Sequence, residues 1–256
     1  MRPLPRRLTY GEEATLVEHL DELRARIIVV LVTLAVGFAV AYVFRGHVLD
    51  WLNSPLPHRL HRPLTLGVAE PFLTSMWVSV WAGFLLASPI VIWQVWAFFA
   101  PAVQDHYRRN VAMLMGFVVV LLATGMGFGY FVCLPAAVKF LTSYDSSHYT
   151  ILIRAKDYYS FCVQVLVAVG LVFEVPAVVL GLVQLHVLSA ARLRRTWRVG
   201  LALMAVLAVA LPGVDPITTT LEMIPLMALY LFSIGLATIV ERRRAAPQPA
   251  SGTSVS

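Results

Sequence analysis

Residues 199–240 read VGLALMAVLAVALPGVDPITTTLEMIPLMALYLFSIGLATIV, and this stretch decides the fold. Two apolar runs, Val199–Leu211 and Thr218–Val240, flank Pro212-Gly213-Val214-Asp215-Pro216. Proline cannot continue a helix and glycine accepts the backbone angles of a turn, so five such residues in a row punctuate the chain. The stretch is a hairpin of two apolar helices. Its first arm, 13 residues from Val199 to Leu211, spans roughly 20 Å as a helix. That is short of the ~30 Å of hydrocarbon in a bilayer, so the lipid must thin here or neighbouring helices must shield the hairpin. A single re-entrant segment is the alternative. The second arm is long enough to cross, and arginines at both ends of the pair (Arg198 before it, Arg242, Arg243 and Arg244 after it) favour two crossings.

Working outward, four more apolar runs precede the hairpin: Ile27–Phe44, Phe72–Phe99, Val111–Leu134 and Tyr159–Val183. The chain is 59% hydrophobic and 13% charged, against about 45–50% and 25% in soluble domains. A water-soluble core cannot hide that much apolar surface, so the solvent is lipid and the fold is an all-α membrane bundle of six spans. The net charge of +6 does not point to nucleic acid, because the basic residues are mostly arginines in short clusters between spans. With the amino end in the cytoplasm, fourteen of the twenty Lys and Arg residues fall inside and six (Arg45, Arg59, Arg62, Lys139, Arg154 and Lys156) outside. An even number of spans then places both termini inside. The expected organisation is a single membrane domain over 1–244, with a cytoplasmic segment 1–26, spans within 27–240 and a disordered tail 245–256.

Segment 1–26 is too charged for a cleavable leader, and no apolar core closely follows Arg6-Arg7. The loops 45–71 and 135–158 are expected to cap the outer face. Cys133 and Cys162 lie inside apolar runs and read as small buried side chains. Trp77 and Trp81 at one end of the second span, and Trp93 and Trp96 at the other, read as interfacial belts. The seven histidines have no metal-ligand spacing. No nucleotide loop or nucleophile elbow is present, so no cofactor, metal or enzymatic chemistry is expected.

Several polar residues stand out. Thr15-Leu-Val-Glu-His-Leu-Asp-Glu-Leu-Arg24 reads as an amphipathic helix at the inner surface, with Leu16, Leu20, Leu23 and Ile27 as its apolar stripe. Thr15 and Glu18 form a capping box. Glu18, Asp21 and Glu22 occupy the other side. They are either a solvated face with a Glu22–Arg26 pair at i, i+4, or a binding surface, since acids beside anionic lipid do not suit a simple anchor. Glu174 lies within the fourth span, where a charge costs about 2.5–3.5 kcal/mol on insertion scales. It should face the bundle interior, as a helix–helix hydrogen bond or as a polar site, and Pro176 should kink the helix beside it. Asp215 sits in the outer turn and could cap the sixth helix. Glu222 suits the first turn of that helix. Gln94 fits a helix–helix hydrogen bond.

His19-Leu-Asp-Glu-Leu-Arg24, Pro71-Phe72, Gln94-Val-Trp-Ala-Phe-Phe-Ala-Pro101 leading to Arg108-Arg109, Phe173-Glu-Val-Pro176, and Asp215 with Ile224-Pro225 resemble, in order along nearly the whole chain, the TatC family. That resemblance implies a glove-like concave bundle with short fifth and sixth helices in a bacterial inner membrane. It implies a receptor that binds the paired arginines of twin-arginine signal peptides at its cytoplasmic face. Single-span TatA and TatB partners and further copies of the receptor would join it, and the proton-motive force would drive export of folded cargo. Glu22 matches the family's amino-terminal acid, Arg24 follows it, and Glu18 lies one turn earlier. The family's second acid, just before the paired arginines, is replaced here by Tyr107; the nearest acid is Asp105, and either could serve. Glu174 with Gln94 would form an intramembrane polar site for partners. Pro71, Phe72 and Asp215 would be structural or functional turn residues. The competing reading from the residues is an ion-coupled secondary transporter using Glu174 and Asp215. An intramembrane enzyme would need a constellation the spans do not supply.

Overall fold

The structure is a computed structural model describing residues 16–57, 60, 62–99, 108–145, 147–149, 151–184, 187–211 and 216–245. The described residues form helices α1 (Leu16–Val43), α2 (Arg45–Asn53), α3 (Glu70–Phe99), α4 (Arg108–Phe128), α5 (Leu134–Ser143), α6 (Ala155–Phe173), α7 (Val175–Gln184), α8 (Ala190–Arg195), α9 (Trp197–Ala210) and α10 (Pro216–Ala245). A π-helical turn, Gly129–Cys133, joins α4 to α5. Among the described residues, five continuous stretches are long and apolar enough to cross a membrane: His19–Val43, Glu70–Val95, Met115–Ser143, Ala155–Gln184 and Pro216–Arg242. The shorter α9, 14 residues, is the expected undersized fifth helix. The sixth, α10, has 30 residues, so only the fifth is short.

Burial ranks these helices. In the stretch Ala155–Gln184, 67% of the most apolar window is inside the protein, against 6% for His19–Val43. The α6–α7 rod is therefore the central post, packed by α3, α4 and α10, while α1 leans on the bundle mainly through α3. The α1–α3 contact depends on two glycines. A Cβ on Gly37 would lie 2.6 Å from the Gly83 carbonyl oxygen, and one on Gly83 would lie 2.5 Å from the Phe38 nitrogen. In lipid, where apolar side chains gain little by leaving their solvent, such backbone contact supplies the dispersion that holds helices together. Away from this contact α1 carries Leu31, Val32, Val36 and Val40, all exposed and suited to lipid.

Several expectations need correction. The amino-terminal amphipathic segment is not a separate surface helix: α1 runs unbroken from Leu16 into the span, and Leu20 and Ile27 of the apolar stripe are exposed. Residues 135–143 of the expected outer loop are helical, as part of α5. Pro135 has no N–H for the carbonyl four residues back, and the wider π turn absorbs the defect, with the Leu134 N–H donating to the Gly129 carbonyl. Trp81 turns inward, edge-on to Trp77 and Phe84 and packed on the core, rather than joining a belt. Glu222 is buried in the second turn of α10, not in the first.

The face opposite the start of α1 is capped as expected, by contacts between segments far apart in sequence. Leu64 and Arg154 form a parallel bridge, with the Leu64 N–H donating to the Ile153 carbonyl at 2.8 Å and the Ala155 N–H to the Leu64 carbonyl at 2.7 Å. The last carbonyls of a helix have no internal partner. At the end of α2 the Tyr130 hydroxyl donates to the Trp51 carbonyl at 2.9 Å and the Tyr158 hydroxyl to the Leu52 carbonyl at 2.6 Å. The Tyr159 hydroxyl donates to Asn53 Oδ1 at 3.0 Å. Cys133 and Cys162 are buried free thiols in this core.

Candidate functional site

At the end of the bundle where α1 begins, polar side chains tie α1 to the end of α3. Arg26 Nε donates to Glu22 Oε1 at 3.1 Å, and Arg26 Nη2 donates to the same oxygen. Arg26 Nη1 donates to Gln94 Oε1 at 3.3 Å. His19 stacks on Phe98 with ring centroids 4.5 Å apart, and its Nδ1 stands 3.9 Å from Glu22 Oε2. Helical spacing explains why residues 19, 22 and 26 meet, since neighbours three and four apart share a face. The Glu22 side chain is 27% exposed and that of Arg26 23%. This is a carboxylate set in a partly dry surface, with one oxygen fully engaged and the other without a hydrogen bond among the described residues. Such a group can accept further N–H donors, and a guanidinium meets it best. Arg24 is exposed on the same end of α1.

Gln94 therefore sits with Glu22, through Arg26, rather than with Glu174. Glu174 occupies the break between α6 and α7, with φ −76° and ψ −5°. Its N–H bonds the Leu171 carbonyl, a tight turn that ends α6, and Pro176 follows in the first turn of α7. The kink expected from Pro176 is present. The Glu174 side chain is buried, and neither carboxyl oxygen has a hydrogen-bond partner among the described residues. An unsatisfied polar group of this kind is costly, and it is the polar feature of the apolar post.

Pro71 lies in the first turn of α3 and Phe72 is exposed beside it. Asp105, Tyr107, Asp215 and the capping residue Thr15 lie outside the described residues, as do the tail from Ala246 and the side chain of Glu18. Among the described residues no group of three or more His, Cys, Asp or Glu is placed to hold a metal ion.

Sequence reasoning missed Glu70. This buried acid accepts Arg154 Nε at 2.8 Å and Nη2 at 3.3 Å, and its Oε2 also accepts the N–H groups of Leu66 (3.0 Å) and Gly67 (3.3 Å). The hydrogen bonds Arg154 donates to Glu70, reinforced by the carboxylate's charge, raise the guanidinium above its usual range. The readable signal was an acid directly before Pro71 at the start of an apolar span, where a helix favours negative charge. Its partner 84 residues away was not readable. At the other face Glu241 Oε1 accepts the Ala190 N–H at 2.7 Å, fastening the start of α8 to the end of α10.

The family model for "Sec-independent protein translocase protein (TatC)" matches residues 18–225. The chain is 32% identical to the Sec-independent protein translocase protein TatC of Carboxydothermus hydrogenoformans over 228 residues, covering 89% of this chain and 94% of the relative. It is 32% identical to TatCd of Bacillus subtilis over 233 residues, covering 91% and 95%. A crystal structure of the twin-arginine translocase receptor TatC aligns with a TM-score of 0.74 at 30% identity, covering 88% of this chain and 100% of that one. The ion-coupled transporter reading finds no support among these relatives.

Proposed function

The chain belongs to the TatC family of Sec-independent protein translocase proteins, receptors of the Tat system, and from that premise we propose that it captures twin-arginine signal peptides at the face where α1 begins. As a multi-pass membrane component of that system it works with other Tat subunits. The observation that carries the proposal is Glu22: a partly buried carboxylate whose Oε1 is held by Arg26 and whose Oε2 has His19 Nδ1 at 3.9 Å, beyond hydrogen-bond reach. In a partly dry setting that oxygen rewards a guanidinium more than a fully solvated acid would.

In this reading the Glu22 face is cytoplasmic in a bacterial inner membrane and both termini lie inside, as the arginine distribution favours. Glu18, one turn before Glu22, adds negative charge on the same side of α1. Asp105, or Tyr107 through its hydroxyl and ring face, takes the second arginine of the pair. Arg24, exposed on the same end of α1 and following Glu22 as the family pattern has it, belongs to the same signal-peptide site. Pro71, Phe72 and Asp215 shape the turns at the far face. Glu174 offers a polar contact within the membrane to the single helix of a TatA- or TatB-type partner. Copies of the receptor assemble, and the proton-motive force drives folded cargo across. The 1–244 region acts as one domain and performs no covalent chemistry.

The test exchanges Glu22→Ala and Asp105→Ala, separately and together, and measures crosslinking of a photoreactive twin-arginine peptide in membranes. Each single change should reduce crosslinking and the pair should abolish it. Undiminished crosslinking in the double variant refutes the site.

A further inference from the structure

Gln94 is a polar residue near the end of α3, and among the described residues its side chain bonds to a different helix, α1. Arg26 divides its donors between two acceptors: Nε and Nη2 go to Glu22 Oε1, and Nη1 goes to Gln94 Oε1. The guanidinium plane is thus fixed from α1 and α3 at once. We propose that Arg26 and Gln94 are positioning residues for the peptide site: Gln94 anchors Arg26, and Arg26 holds one oxygen of Glu22 so that the other stands ready for a ligand arginine. This rests on Glu22 being the acceptor.

Each carboxylate oxygen accepts about two hydrogen bonds. Oε1 already takes two N–H groups from Arg26, so it is full. Oε2 takes none among the described residues, because His19 is drawn aside by its stack on Phe98. A ligand arginine can grip Oε2 as Arg26 grips Oε1, with two nitrogens on one oxygen. A lysine ammonium brings one nitrogen and loses the second bond. Holding Glu22 in one rotamer before the ligand arrives also removes part of the ordering cost of binding. Without Gln94, Arg26 is free to swing across both oxygens, and the preference for arginine falls.

The full chain in lipid nanodiscs is titrated with a fluorescent twin-arginine peptide and with its Lys-Lys counterpart. Gln94→Leu and Arg26→Lys should each weaken the twin-arginine peptide about tenfold, the worth of one charge-assisted hydrogen bond, and change the Lys-Lys peptide by less than about threefold. Gln94→Glu keeps an oxygen for Arg26 and should restore the ratio of the two affinities. Glu22→Gln should remove the preference altogether. If Gln94→Leu keeps the parent ratio while Glu22→Gln collapses it, the positioning roles are wrong and the acceptor stands. Equal loss for both peptides with a lowered melting temperature makes Gln94 merely structural and also overturns the proposal. If Glu22→Gln keeps the ratio, the acceptor itself is misassigned.

Discussion

Replacing Glu174 by leucine should make the bundle more stable and partner assembly worse. Both carboxyl oxygens are buried without a hydrogen-bond partner among the described residues, in the middle of the most buried rod of the protein. Leaving a polar group buried and unsatisfied costs about 1–3 kcal/mol, and holding a charge at that depth costs about 2.5–3.5 kcal/mol. Leucine is apolar and larger by only about one methylene group, so it occupies the site without either cost. A gain of about 1–3 kcal/mol follows, since apolar replacement of an unsatisfied buried group removes a penalty rather than a bond. Glu174→Gln keeps a polar group at the site, so it should hold stability near the parent value and retain part of the partner association. The assays are unfolding in a graded denaturing detergent and co-purification of TatA- and TatB-type partners from membranes. A leucine variant less stable than the parent would mean the carboxyl already holds a neighbouring helix. Unchanged co-purification of partners would mean Glu174 is not their contact.

Gly83→Ala forces the α1 and α3 backbones apart, because its Cβ would lie 2.5 Å from the Phe38 nitrogen; a loss of about 1–3 kcal/mol is expected on unfolding, whereas Gly235→Ala, with nothing within 4 Å, should be neutral or slightly stabilising. Gly200→Ala drives a methyl group into the ring of Tyr230 and should loosen the α9–α10 hairpin by a similar ~1–3 kcal/mol; adding Tyr230→Ala should relieve the clash, which a double-mutant unfolding cycle reads out. Arg154→Glu with Glu70→Arg should not restore the thermal stability lost in either single variant. Glu70 also accepts the Leu66 and Gly67 N–H groups, which an arginine cannot do; recovery of the parent melting temperature would show that charge alone matters there.

Five of the six spans were readable because lipid imposes one rule on them, about 20 apolar residues in a helix. The short fifth arm and the kink at Pro176 followed from local chemistry for the same reason. What escaped the sequence was mostly non-local or compensated. α2 is hidden in RGHVLDWLN, a stretch without strong apolar periodicity, and is held by tyrosines from elsewhere in the chain. The third span was expected to end at Leu134, yet a π turn carries the helix on to Ser143. At the candidate site, Glu22 and its i, i+4 partner Arg26 were visible from spacing. The tie from Arg26 to Gln94 spans 68 residues and had no periodic trace. Glu70 was passed over because its partner Arg154 lies 84 residues away, in another inter-span segment.

The central claim is that Glu22 meets its ligand from the cytoplasm. Cys133 and Cys162 are buried, while Asp21 is exposed beside Glu22, so Asp21→Cys supplies a selective thiol for a membrane-impermeant maleimide. Labelling should occur in inverted vesicles, be absent in right-side-out vesicles, and slow when a twin-arginine peptide, but not a Lys-Lys peptide, saturates the receptor. Labelling from the right-side-out face, or a rate indifferent to the twin-arginine peptide, would contradict it.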